Sequence, residues 1–92
     1  MNEPLGKVIS TERIKHIAKT RNKWEGKLVL HHSFEGNEKK ELVETNVSVV
    51  PVKTFTGTQF ILYNFQGDKM RELSWFMKEN KDAGIYVTFL EK

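Results

Sequence analysis

The sequence has no cysteine, which excludes disulfide bridges, thiolate metal sites and cysteine nucleophiles. Histidines are few, and His31 and His32 are neighbours on a predicted strand, so their rings point to opposite faces. A metal site would need His16 together with a carboxylate brought close by folding. Glycines stand singly at the ends of predicted segments, and no glycine-rich loop precedes a helix to hold a phosphate. We therefore predict neither a metal nor a cofactor.

Long apolar runs are also missing. No stretch approaches the roughly 18 apolar residues that a bilayer span requires, and residues 1–7 lack the apolar region of a signal peptide. Small secreted domains often carry disulfides, which this chain cannot form. We expect a cytoplasmic protein with no membrane contact.

The sequence also lacks a recognisable catalytic arrangement. Ser33 follows His32, yet strand alternation separates their side chains. Ser48 and Ser74 have no flanking glycines of the kind that shape a nucleophile elbow. The carboxylates are scattered along the chain. We therefore predict that the protein is not an enzyme.

The chain does contain enough apolar residues to form one hydrophobic core. Its 92 residues, 38% hydrophobic and 29% charged, are typical of a folded domain rather than a disordered chain or a membrane protein. We predict a single domain over residues 1–92, in which residues 1–8 are poorly ordered or form a short edge strand.

A short helix is predicted near the N-terminus. Ser10 and Thr11 offer capping hydroxyls, and residues 12–21 place Ile14 and Ile17 at helical spacing. So narrow an apolar stripe does not hold a helix in water. We expect this helix to pack on the core or to become ordered on a partner.

Three strands follow, over residues 27–34, 41–55 and 59–65. Because proline cannot donate to a ladder, Pro51 predicts a bulge or a sheet edge, and a bend. Gly57 supplies the backbone angle of a hairpin connection. The third strand is apolar on both faces, which predicts a central strand covered on both sides.

A second helix and a last strand complete the pattern. Asp68 is the predicted cap of a helix over residues 69–80, Gly84 ends it, and residues 85–90 alternate as a strand. The predicted fold is α+β, with a mostly antiparallel four-stranded sheet and two helices in the order α-β-β-β-α-β. We expect residues 59–90 to form the scaffold and the basic N-terminal segment to be an accessory.

Positive charge is concentrated near the N-terminus. Residues 7–27 contain seven basic and two acidic residues, a net charge of +5, whereas residues 28–92 have a net charge of −1. Such a cluster suits an anionic partner. One candidate function is therefore a nucleic-acid-binding module that uses Arg13, Lys15, Lys19, Arg21, Lys23 and Trp24.

The predicted order of elements, from the first helix to the second, is similar to that of double-stranded RNA binding domains. That family carries a basic cluster at the start of its second helix. Residues 67–72 are nearly neutral here, and the last strand does not belong to the family's pattern. The resemblance covers element order and no motif.

Trp75 is the least expected residue of the second helix. It lies nearly opposite the apolar stripe of that helix, which consists of Met70, Leu73, Phe76 and Met77. Trp75 either contacts another part of the fold, such as the first helix, or is an exposed anchor; Trp and Arg dominate binding hot spots. Our leading hypothesis is a small non-catalytic intracellular binding or regulatory protein, which contacts a protein partner or a second copy through Trp75, Arg71 and Lys78.

Overall fold

The computed structural model describes residues 7–33 and 40–91. This part of the chain forms two helices and one six-stranded antiparallel sheet. In chain order the elements are β1 (Val8–Ile9), α1 (Thr11–Arg21), β2 (Trp24–Ser33), β3 (Lys40–Thr54), β4 (Gly57–Asn64), β5 (Lys69–Glu72), α2 (Leu73–Asp82) and β6 (Ile85–Glu91). Among these residues no helix combines the length and the apolar character that crossing a bilayer requires.

The α+β class, with two helices and an antiparallel sheet, is confirmed, but the sheet has six strands rather than four. Its order is β1-β6-β2-β3-β4-β5. The four-stranded prediction did not include β5, because its four residues are mostly charged. The segment for which disorder or an edge strand was predicted ends at Val8; Val8 and the next residue, Ile9, form the edge strand β1, and residues 1–6 lie outside the described residues.

The second helix starts later than predicted. Lys69–Glu72 pairs with β4 as a strand, with Ile61 opposite Glu72. Glu72 then caps α2, because its carboxylate accepts hydrogen bonds from the N–H groups of Ser74 and Trp75 at 3.2 and 3.3 Å. Asp68 is therefore not a helix cap. Pairing with a neighbouring strand outweighs the helical spacing of the apolar residues here.

The predicted roles of the two ends of the chain were also wrong. Strands β4 and β6 are not neighbours, since β2 and β3 lie between them, and β4 is second from an edge instead of central. The basic N-terminal segment is not an accessory, because α1 places Ile14 and Ala18 in the core with no exposed surface. The sheet is built around β2 and β3.

Both helices cover the same face of the sheet, which corrects the prediction of a sheet covered on both sides. Strand residues that share this face by register pack with both helices; they are Ile9, Trp24, Leu28, Val47, Val49, Leu62 and Phe89. From the helices come Ile14, Ala18 and Leu73. Within the described residues the opposite face carries no helix.

The hairpin between β3 and β4 extends beyond the rest of the sheet. Pairing of β2 with β3 ends at Trp24 opposite Val49, so Pro51 lies on a free edge, as predicted. The register continues through Pro51 without a shift, and the irregularity of β4 lies instead between Leu62 and Tyr63. Gly57 has a φ of 137°, which confirms its predicted role in the turn.

Candidate functional site

Trp75 lies in the first turn of α2 and is exposed to solvent. The cap at Glu72 and the complete burial of Leu73 set the rotation of the helix. Trp75 is two residues after Leu73, and at about 100° per residue its side chain lies roughly 200° around the helix, so it points away from the core. Its exposed fraction is 54%. Of the two alternatives left open by the sequence, exposure is therefore the one observed.

A shallow cavity of about 320 Å³ lies beside Trp75. Gln59 and Ile61 of β4 line it from the sheet, and Met70 and Arg71 line it from β5. Ile61 is buried, so the cavity has an apolar floor next to an exposed aromatic ring. We call the following residues the Trp75 surface: Gln59, Ile61, Met70, Arg71, Trp75 and Lys78.

Some of the charged groups around this surface form hydrogen bonds or ion pairs, and others do not. Glu72 is occupied as the cap of α2, and the Glu79 carboxylate accepts a hydrogen bond from Arg71 Nε. Lys78 places its Nζ 5.1 Å from the centroid of the Trp75 ring, a cation–π contact. Among the side chains of residues 7–31 and 44–91, no carboxylate lies within 4.0 Å of the Lys69 or Lys78 nitrogen. Lys69 also lines the cavity, and the three positive charges of Lys69, Arg71 and Lys78 against the two negative charges of Glu72 and Glu79 leave the rim with a net charge of +1.

The three residues predicted for partner binding lie together. Lys78 contacts the ring of Trp75, and Arg71 lines the same cavity as Trp75. Tryptophan, methionine and arginine are enriched in protein interfaces, and Met70 adds a further exposed apolar side chain. The arrangement can bury an apolar side chain of a partner in the cavity while the rim attracts negative charge.

The residues predicted for nucleic-acid binding do not form one surface. Arg13, Lys19 and Arg21 are exposed on α1. Trp24 is only 4% exposed and packs edge-on against Phe89, with ring centroids 5.9 Å apart. It is a core residue and is not accessible to stack on a base, which corrects its place in that set.

The two remaining basic residues of that set are held by neighbours. Lys15 reaches from α1 towards α2, where its Nζ lies 3.4 Å from Ser74 Oγ and 5.9 Å from the ring centroid of Phe60. Lys23 forms an ion pair with Glu25 at 3.7 Å. The exposed basic surface of α1 is therefore smaller than the sequence indicates.

A second cavity, which sequence reasoning missed, lies between α2 and β6. It measures about 530 Å³ and is lined by Met77, Lys78, Lys81, Ile85, Tyr86 and Val87. We call this the β6 groove. The alternation of β6 predicts its two faces but not that β6 has an open edge, because strand order depends on pairing between distant segments.

Among the side chains of residues 7–31 and 44–91, no cluster of three or more histidine, aspartate or glutamate residues could hold a metal ion. His16 is exposed on α1, whereas His31 lies on the sheet.

Comparisons of the chain with models of protein families, with curated proteins and with solved structures find no match. Its function therefore has to be inferred from the geometry of its own surfaces.

Proposed function

We propose that this chain is a non-catalytic protein-binding domain, which contacts an acidic segment of a partner protein through the Trp75 surface. The observation that carries the proposal is Trp75 itself, half exposed beside a cavity whose floor is the buried Ile61. Aromatic anchors next to a pocket are typical of binding hot spots.

Trp75 has enough free surface to anchor a partner. A tryptophan buries about 150–250 Å² in a core, so the exposed 54% corresponds to roughly 100 Å². At about 25 cal/mol per Å², covering that surface contributes about 2.5 kcal/mol to binding. This is the magnitude at which a single side chain dominates an interface.

Charge favours an acidic partner protein over a second copy, the two kinds of partner predicted from the sequence. Two copies meeting through this surface would bring the positive rims at Lys69 and Lys78 together. Like charges across an interface oppose association, and the chain as a whole carries a net charge of +3. An acidic segment of another protein fits the rim better than a second copy does.

The experiment compares immobilised wild-type chain with Trp75→Ala in lysate of the source cells. Phe65→Ala is the matched control, because Phe65 is an aromatic that is more exposed than Trp75, at 69%, in the turn between β4 and β5 and outside the Trp75 surface. We expect Trp75→Ala to lose about 2 kcal/mol of binding free energy, or about thirtyfold in affinity, and Phe65→Ala to bind as wild type.

Identical retention of proteins by all three chains would contradict the proposal, provided that circular dichroism shows each variant to be folded. Sedimentation velocity over a range of concentrations tests the second-copy alternative on the same samples. Self-association that Trp75→Ala abolishes would replace the acidic partner with a second copy.

Nucleic-acid binding is a second candidate function, supported by the exposed Arg13, Lys19 and Arg21 of α1. With Trp24 buried, these residues offer contacts to phosphates and no stacking partner. The candidate therefore predicts binding without sequence preference that weakens steeply with salt. A flat fluorescence-anisotropy titration with single- and double-stranded probes at low ionic strength would dispose of it.

A further inference from the structure

We propose that the open edge of β6 binds an extended acidic peptide, which adds to the sheet as a further strand and places its apolar side chains in the β6 groove. This site goes beyond the Trp75 surface, because it recognises a partner's backbone conformation as well as its side chains.

The backbone of β6 offers unpaired hydrogen-bonding groups. The Glu91 N–H donates to the Lys7 carbonyl at 2.8 Å, so the backbone groups of Glu91 point away from β2. Because strand backbones alternate with a period of two, the N–H and C=O groups of Val87 and Ile85 point the same way. In the described residues β1 ends at Ile9, opposite Phe89, and no strand lies beside Ile85 or Val87 on the side away from β2.

This edge of β6 is open because the chain leaves the sheet after two residues of β1 and enters α1. Ser10 caps α1, since its Oγ accepts a hydrogen bond from the Arg13 N–H at 3.2 Å. The backbone therefore leaves the sheet after Ile9, and β1 covers only part of β6. A peptide strand would occupy the place that a longer β1 would take.

The sequence of β6 leaves its edge unprotected. Proteins usually blunt an edge with proline, charged residues or a bulge. The opposite edge strand, Lys69–Glu72, is mostly charged, and the free edge of β3 carries Pro51. The open part of β6 reads Ile-Tyr-Val-Thr, which has high strand propensity and no charge. Of these edges, β6 is the one suited to pairing.

The groove determines the chemistry of the peptide. Val87 shares the helix-covered face of the sheet, and Met77 of α2 lines the groove above it. Every second side chain of an added strand would point into this groove, which suits an apolar residue. Lys78 and Lys81 line the same groove and would attract acidic residues. Pairing of two β6 edges would instead bring the lysines of both copies together, which disfavours a second copy.

The test is a nuclear magnetic resonance titration of the full chain with capped peptides in which every second residue, the set that faces the groove, is in turn apolar (Val, Ile, Leu, Phe or Tyr) and Glu, with Thr between them. We expect the amide signals of Ile85 and Val87 to shift and their hydrogen exchange to slow, with signals of α2 near Met77 following. Peptides with Lys in place of Glu should bind about tenfold more weakly, as should peptides N-methylated at alternate residues, which lose donors to β6.

Two protein variants complete the test. Val87→Pro removes an outward N–H while leaving the ladder to β2 intact, and should weaken binding about tenfold. Lys81→Gln should reduce the preference for Glu over Lys peptides, whereas Lys53→Gln, a matched change on the distant hairpin, should not. The N-methylated peptides give the same information without altering the protein, should Val87→Pro fail to fold.

The inference would be overturned by no shift at Ile85 or Val87 with any peptide, by equal binding of N-methylated peptides, or by equal binding of Glu and Lys peptides. Shifts confined to Ile61, Arg71 and Trp75 would also overturn it, while agreeing with the function proposed for the Trp75 surface. Failure of the Trp75 surface in the lysate experiment leaves this test unaffected, since that experiment depends on Trp75 of α2 and this one on the amides of Ile85 and Val87 in β6.

Discussion

Replacing Ile14 with alanine tests whether the basic helix α1 belongs to the core. Ile14 has no exposed surface and packs in the cluster that contains Leu28 and Val49. Truncation of a buried isoleucine costs about 2–5 kcal/mol, and the better helix propensity of alanine returns about 0.4 kcal/mol. We expect a net loss of about 3 kcal/mol, a large part of the 5–14 kcal/mol or so that a chain of this length has.

Urea denaturation measures this loss. The natural reporter is the fluorescence of the buried Trp24, read in a Trp75→Phe background so that the exposed ring does not contribute. With a slope of about 1.3 kcal/mol per molar, the midpoint should fall by about 2 M at unchanged slope. Ile17→Ala is the matched control on the same helix; Ile17 is only half-buried, so a loss of about 1 kcal/mol is expected.

A change of less than about 0.5 kcal/mol for Ile14→Ala would refute the reasoning, because that is the range of surface substitutions. It would mean that α1 is an accessory, as the charge pattern alone indicates, and that the core consists of the sheet and α2.

Three further predictions concern the fold and the exposure of the two tryptophans. Gly26→Ala should destabilise the domain by about 2 kcal/mol in the same assay, because a Cβ at this position would overlap the Trp24 ring and the Leu90 carbonyl; full stability would show that the ring lies elsewhere. Glu72→Ala should cost about 1 kcal/mol through loss of the α2 cap, whereas Glu72→Asp should retain most of it, and equal effects would argue against capping. Acrylamide should quench Trp75 in a Trp24→Phe variant several times more strongly than Trp24 in a Trp75→Phe variant, and similar quenching would contradict the different burial of the two rings.

Local signals in the sequence predicted local structure well. Ser10, one of the two predicted capping residues, caps α1, the turn lies at Gly57 as predicted, and α2 ends just before Gly84, because each of these features depends on a few adjacent residues. The orientation of Trp75 also followed from helical periodicity, although α2 begins at Leu73 rather than at residue 69. A shifted start leaves the angle between Leu73 and Trp75 unchanged.

Pairing between distant segments could not be read from the sequence. Lys69–Glu72 forms a strand because β4 is beside it, and nothing within those four residues indicates this. The insertion of β2 and β3 between β4 and β6 is equally non-local. For the same reason Trp24, surrounded by basic residues in sequence, was assigned to a binding surface although it lies in the core.

The function proposed for the Trp75 surface is tested most directly by site-specific photocrosslinking in the source cells. A photoreactive residue replaces Met70 inside the Trp75 surface, or Phe65 outside it as the control. The account predicts a crosslinked acidic protein from position 70 that is lost when Trp75→Ala is added, and none of that protein from position 65. The same adducts from both positions, or adducts at position 70 that survive Trp75→Ala, would contradict it.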